Sequence, residues 1–241
     1  MNYLDMLATL GAGSAHPGGF AATMEQFEKF PISPGSKVLE IGCGTGRTAC
    51  YLAKQGCDVT GIDIRPNMID KACLRAHEER VEARFLVGDA CALPFMDRQF
   101  DVVLAESVTI FVDSAKALSE YCRVLRTGGI LYDREIIMMK ECTEEVLREV
   151  REFYGVNKLY YAEDWISLMK KSGFGEASVG EKKLFSTDMW LDEFKHPDLY
   201  QKADPDSYTN PELWETANKY NEIMTNYLDY FGYSLLIGNK V

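Results

Sequence analysis

An α/β fold, a mostly parallel sheet with helices on both faces, is what this sequence predicts, and three observations predict it. The first is Lys37 to Gly46, where the apolar Val38, Leu39 and Ile41 lead straight into glycines at every second position, Gly42, Gly44 and Gly46. A short apolar run bounded by glycine reads as a buried strand. The glycines read as a turn whose backbone must approach something that a Cβ would block. The second observation is the helix pattern that follows at once. Thr45 to Gln55 carries Ala49, Leu52 and Ala53 on one face and Gly56 as a stop. Strand, glycine turn and helix together make a ligand crevice at the strand's carboxyl end. The third is that strand and helix patterns go on alternating, in a chain of 241 residues that is 46% hydrophobic, enough for one sizeable core.

Composition narrows the function classes. The formal charge is −11, which argues against a nucleic-acid backbone as main partner, since that wants clustered Lys and Arg. No run of about 18 apolar residues appears and the chain does not start on a basic-then-apolar pattern, so no membrane partner is expected. The seven cysteines are scattered, without CxxC or His-rich spacing. They read as free thiols in a reducing cytoplasm, and no metal site is expected.

The crevice excludes some ligands. A dinucleotide fingerprint needs its third glycine where Arg47 stands; here it comes one residue earlier, giving E-x-G-x-G-x-G. No Walker-type G-K-[ST] is present. Glu40, just before the turn, repels phosphate and suits a cationic ligand.

Further along, Asp58 to Asp63 reads as the second strand, with Asp63 at the interval where doubly wound folds place an acid on ribose hydroxyls. A carboxylate can accept from both hydroxyls at once. A helix from Pro66 to Ala76 follows, and its Met68 lies against a bound base or in the core. Val81 to Val87 is the third strand, closed by Gly88-Asp89-Ala90. Residues 101–106 form the fourth, ending at Glu106, and 129–137 the fifth, after a helix from Ser114 to Leu125.

These motifs resemble those of class I S-adenosylmethionine-dependent methyltransferases, in particular the small-molecule branch similar to the ubiquinone and menaquinone biosynthesis enzymes. Glu40-Ile41-Gly42-Cys43-Gly44-Thr45-Gly46 looks like motif I, Gly88-Asp89-Ala90 like the G-D-A signature, and Leu93-Pro94-Phe95 with Phe100-Asp101-Val102-Val103 like L-P-F…F-D-x-V. Glu120 to Gly129 resembles E-x-x-R-V-L-K-P-G-G, with Thr127 in place of proline. The resemblance implies a Rossmann-like three-layer sandwich whose seven-stranded sheet has an antiparallel last strand between the fifth and sixth. It implies S-adenosyl-L-methionine as cofactor, held by Glu40, Gly42, Cys43, Gly44, Gly46, Asp63, Ile64, Met68, Asp89, Ala90 and Glu106.

The remaining segments are expected to cover this core. Leu4, Leu7 and Leu10 sit at helical spacing. A flexible loop, Gly11 to Gly19, and a helix from Phe20 to Phe30 follow. In relatives such helices form a lid, so 1–36 reads as a helical lid. Its His16, Gly18 and Gly19 either reach the cofactor or merely form a hinge. Residues 37–184 read as the binding core, 185–232 as a helical cap insertion, and 233–241 as the last strand. The cap holds many aromatics (Phe185, Trp190, Phe194, Tyr200, Tyr208, Trp214) and a helix from Asn210 with a broad apolar face.

Methyl transfer to a small-molecule nucleophile is the expected reaction. Alternatives are a protein or RNA acceptor, or a cofactor-binding regulator without turnover; a nicotinamide dehydrogenase is disfavoured by Arg47. A base is needed only when the nucleophile starts protonated. His16, Glu106, Tyr132 and Glu135 are the candidates, and the sequence does not choose among them. Asp133, Arg134 and Glu135 are unexpected on a buried strand: either they line a polar pocket or the strand ends early. A homodimer is a possible assembly.

Overall fold

The structure is a computed structural model and describes residues 1–186 and 195–241. One seven-stranded sheet runs through it in the order β3-β2-β1-β4-β5-β7-β6. The strands are β1 (Lys37–Ile41), β2 (Asp58–Asp63), β3 (Arg84–Val87), β4 (Phe100–Glu106), β5 (Leu125–Met138), β6 (Glu176–Leu184) and β7 (Phe231–Asn239). All neighbours from β3 to β5 pair in parallel; β7 lies antiparallel between β5 and β6. The chain leaves β1 outward through β2 and β3, then returns to the other side of β1 as β4. The crevice where the order reverses opens at the carboxyl ends of β1 and β4.

Period-two alternation puts both sheet faces in apolar cores. On β1, Leu39 and Ile41 join a core with Val103, Ala105, Leu131 and Trp165. Val38 points the other way, towards Ala49, Leu52, Val102 and Leu104. The helices are α1 (Tyr3–Leu10), α2 (Gly19–Lys29), α3 (Arg47–Lys54), α4 (Pro66–Glu79), α5 (Ser114–Val124), α6 (Glu144–Tyr154), α7 (Ala162–Lys171) and α8 (Pro211–Tyr227). Capping sets several of their starts: Thr143 accepts from Val146 N, and Asn210 from Glu212 N ahead of Pro211. α8 packs on α1 and α6. Trp190 and Phe194 lie outside the described residues.

Two elements differ from expectation. β3 has only the four residues 84–87, because α4 runs three residues past Ala76 and ends on Arg80 in the left-handed region. β5 does not end early; it starts at Leu125, paired with Phe100, and runs to Met138. Asp133, Arg134 and Glu135 lie inside it with no solvent exposure at all. They form no polar pocket wall. Asp133 Oδ2 accepts from Thr109 Oγ1 at 2.9 Å, and Glu135 Oε1 accepts from Val108 N and Thr109 N at 3.0 and 2.7 Å. Arg134, on the opposite face, donates to the Ala22 carbonyl at 3.0 Å and to Gln26 at 2.9 Å. Three buried ionisable side chains are thus consumed in bracing the loop after β4 and the helix α2.

Candidate active site

The turn after β1 is left-handed at each glycine: φ is +62° at Gly42, +52° at Gly44 and +74° at Gly46. A Cβ on Gly42 would lie 2.4 Å from Val108 Cγ2, and one on Gly46 would lie 2.9 Å from the Phe85 ring. A Cβ on Gly44 would meet only the tip of Met68 at 3.4 Å and the Ala12 carbonyl at 3.8 Å. Asp63, at the end of β2, fixes the turn: Oδ2 accepts from Gly44 N at 3.0 Å and Oδ1 from Arg65 N at 2.9 Å.

Above this turn lies a cavity of about 370 Å³. Its floor is Glu40 to Gly44 with Asp63, Ile64 and Met68; Asp89 and Ala90 close one end and Glu106 to Val108 the other. α1 and the loop 12–16 form its roof. Acids dominate it. Glu40 is buried, and its Oε2 has no hydrogen-bond partner. Burial pushes its carboxyl well up, with Glu106 and Asp63 adding to the same direction. Burial also raises Asp63. Such groups want a cation beside them to return to the charged form. Among the described residues no cluster of three or more His, Cys, Asp or Glu is placed to hold a metal ion.

Comparison with known proteins agrees with this geometry. Residues 39–133 match the family described as "Methyltransferase domain". The uncharacterized methyltransferase YodH of Bacillus subtilis is 32% identical over 99% of both chains. The chain belongs to the class I S-adenosylmethionine-dependent methyltransferases. The fold also matches phosphoethanolamine N-methyltransferase 2 of Haemonchus contortus, solved with phosphomonomethylethanolamine and S-adenosylhomocysteine. There the TM-score is 0.77 at 22% identity, over 98% of this chain and 57% of that one. A geranyl diphosphate C-methyltransferase of Streptomyces coelicolor, at 16% identity and TM-score 0.67, covers 92% of this chain and 79% of its own. The cofactor of this methyltransferase is S-adenosyl-L-methionine.

Most residues named from the motifs come together on the cavity wall: Glu40, Gly42, Cys43, Gly44, Asp63 and Ile64, then Met68, Asp89, Ala90, Glu106 and His16. Three do not reach it. Gly46 faces Phe85 and Ala72 beneath the turn; Gly18 lies against Ala22 and Tyr233, and Gly19 begins α2. Of the four possible bases, Tyr132 packs against Phe30 and Glu135 is buried behind the loop it braces. Only His16 and Glu106 line the cavity.

Glu106 sits at the centre of a buried polar cluster. It accepts from Thr23 Oγ1 at 2.6 Å and Thr48 Oγ1 at 2.9 Å, with His16 Nε2 at 3.5 Å and Arg134 Nε at 4.0 Å. Burial pulls the His16 imidazole down from its ordinary value, and the Glu106 carboxylate only partly opposes that. Sequence reasoning missed both threonines. Thr48 carried a signal, since it is polar in the first turn of a helix that opens on the glycine bend. Thr23 carried none, because its partner is 83 positions away.

Proposed function

We propose that this methyltransferase seats S-adenosylmethionine over the 42–46 turn and methylates a small, uncharged, largely apolar molecule. The orphaned Glu40 oxygen carries the first half. A buried carboxylate with one unsatisfied oxygen, facing a cavity that two further acids share, fits the methionine ammonium and the nearby sulfonium. Asp63 retains lone pairs for ribose hydroxyls, and Asp89, whose Oδ1 accepts from Cys91 N at 2.8 Å, keeps its other oxygen for the adenine amino group. Gly44 leaves the open space that the donor's backbone-hugging moiety requires.

The walls support the second half. α1 contributes Tyr3, Leu4 and Leu7, and the loop after β4 contributes Val108, Phe111 and Val112. Arg65 is the one Lys or Arg among the described residues of the wall, and Asp5 holds it at 2.7 Å. A phosphate-bearing acceptor would find there only an arginine already paired with Asp5. When bound, the sulfonium supplies an electrophilic methyl. The chain's own work is to hold a nucleophile in line and exclude water, which is worth roughly 7–11 kcal/mol. Residues 1–36 act as the lid in this reading, and the seven cysteines, all free, suit a cytoplasmic site of action.

Calorimetry with S-adenosylmethionine and S-adenosylhomocysteine tests the seat, and Glu40→Gln should weaken both ligands. Absence of binding by either, with NADH bound instead, would refute it. Mass spectrometry of a metabolite extract incubated with labelled methyl donor tests the acceptor class. A labelled phosphate ester as the main product would overturn the apolar reading.

A further inference from the structure

We propose that His16 is the proton acceptor of the reaction, positioned by Glu106 and Thr23. The methyl acceptor is then a nucleophile with a proton to lose: a hydroxyl, a primary or secondary amine, or a carbon acid. The inference rests on the cofactor seat proposed above.

The cavity acids divide by partner. Asp63 and Asp89 accept from backbone N–H groups at the ends of β2 and β3. Glu40 is left for the donor's ammonium. Both oxygens of Glu106 already take threonine hydroxyls, so Glu106 orients its neighbours and is poorly placed to take a proton itself. Burial keeps the Tyr3 hydroxyl and the Cys43 thiol of the wall protonated, which leaves His16. Its side chain is only 5% exposed, yet it borders the cavity.

The hydrogen bonds choose the tautomer. Thr23 Oγ1 gives its proton to Glu106, so its lone pair is left to accept from His16 Nε2–H at 3.2 Å. The proton therefore sits on Nε2 and the basic lone pair on Nδ1. Nδ1 meets the Pro17 carbonyl at 3.4 Å; that oxygen can accept from Nδ1 once it is protonated. Nε2–H held by Thr23 beside the Glu106 carboxylate at 3.5 Å, with Nδ1 left unprotonated, is the arrangement a general base needs. The charges around the ring come from every packed element: Glu106 from β4, Arg134 from β5, Arg47 from α3 and, beyond Glu106, Glu40 from β1. Burial keeps the ring neutral, hence able to accept.

The balance closes. The nucleophile forms its bond to the donor methyl as the sulfur–methyl bond breaks, and that electron pair stays on sulfur. The proton leaving the nucleophile passes to His16 Nδ1. The resulting imidazolium faces the Glu106 carboxylate. A thioether or tertiary amine acceptor, which releases no proton, would have no use for this pair.

The test needs no acceptor. His16 is one of three histidines in the chain, with His77 and His196 as internal references. Ring ¹⁵N resonances of the wild-type protein are titrated with pH when saturated with S-adenosylmethionine and, separately, with S-adenosylhomocysteine. The two ligands differ by the methyl and by the sulfonium charge. A base placed at the reacting centre should show the Nε2–H tautomer at pH 7 and a midpoint about one unit lower beside the sulfonium than beside the thioether, with His77 and His196 unmoved. Equal His16 midpoints in two saturated complexes would overturn the assignment while leaving the cofactor seat standing. Failure of either nucleoside to bind would overturn the seat itself. Once an acceptor is in hand, His16→Gln should lower kcat about 100-fold with KM for the donor unchanged; loss confined to KM would mark a role in binding alone.

Discussion

The floor and the roof of the cavity are built by different physics. The floor comes from neighbours in sequence: β1, its glycine turn and Asp63 span 27 residues, from 37 to 63, and are joined by backbone geometry and two short carboxylate bonds. The roof comes from distant pieces. α1 and the loop after it are strapped down by residues 195–206. Asp204 N donates to the Thr9 carbonyl at 2.8 Å, Gln201 Nε2 to the Leu10 carbonyl at 2.8 Å, and Arg47 to the His196 carbonyl at 2.5 Å. Arg75 binds both oxygens of Asp198, at 2.8 and 2.5 Å, and also the Thr45 carbonyl at 2.8 Å. One guanidinium therefore joins floor to roof. A local motif gives the seat, and a long-range ion pair straps the cover to it.

The largest effect should come from cutting that joint. Arg75→Met leaves the buried Asp198 with the Tyr200 N–H at 3.1 Å but without its guanidinium partner, and losing one partner of a buried pair costs about 3–5 kcal/mol. Urea denaturation should show a loss near the lower figure, together with new proteolytic cleavage within 195–206. Asp198→Asn, which spares the Arg75 bonds to Thr45, should open the strap to protease at a smaller cost in stability. Should both variants resist protease like the wild type, the division into seat and strapped cover is wrong.

The floor should break next, and unequally. Gly42→Val meets Val108 at 2.4 Å and is held at φ +62°, so strain and overlap together cost about 3 kcal/mol. Gly44→Ala faces nothing nearer than 3.4 Å and carries only the strain of its φ of +52°, about 1–2 kcal/mol, while losing donor affinity because the methyl stands in the cavity. Equal stability of the two variants would contradict the turn's geometry. Asp63→Ala should weaken S-adenosylmethionine by about 1–2 kcal/mol, since two backbone donors and, in the proposed seat, the ribose lose a charged acceptor; calorimetry reads it directly.

The same contrast explains what could be read in the sequence. Glycine spacing, the acid nineteen residues beyond Gly44 and the strand–helix alternation are local signals, so the sheet and the floor were legible. Asp63, read from its spacing, and Glu40 and Asp89, read from the motifs they resemble, all line the cavity. The roof was legible only as helical segments. Nothing at Asp198 announces Arg75, 123 positions away, and nothing at Thr23 announces Glu106. Gly18 and Gly19 show the same limit: a glycine pair suits a ligand loop or a hinge alike, and here it starts α2 against Tyr233.

The smallest effect concerns β5, which serves both regions at once. Arg134 on one face holds α2, the helix that follows the roof loop, while Asp133 and Glu135 on the other hold the rim of the floor at Val108 and Thr109. The two acids have one oxygen each, Asp133 Oδ1 and Glu135 Oε2, without another partner. A proton kept by Glu135 and offered to Asp133 satisfies both. Burial raises Asp133 to about 7 and Glu135 well above its ordinary value. Raised acids have a definite sign. Below the unfolded values of about 4, both states are protonated and nothing is lost. As pH climbs past 4 the unfolded chain releases protons that the folded chain retains, so stability falls, until Asp133 too ionises near 7. Acids held below their ordinary values, such as Glu120 and Asp198, act in the opposite direction, so the total curve hides the effect. Glu135→Gln isolates it. The amide carbonyl still accepts from Val108 and Thr109 and its N–H still donates to Asp133, but no proton need be held. Variant and wild type should be nearly equal near pH 4.5, with the variant more stable by about 1 kcal/mol at pH 8. A difference that is flat across this range, or that favours the wild type as pH rises, would mean that the pair shares no proton and that the rim is held some other way.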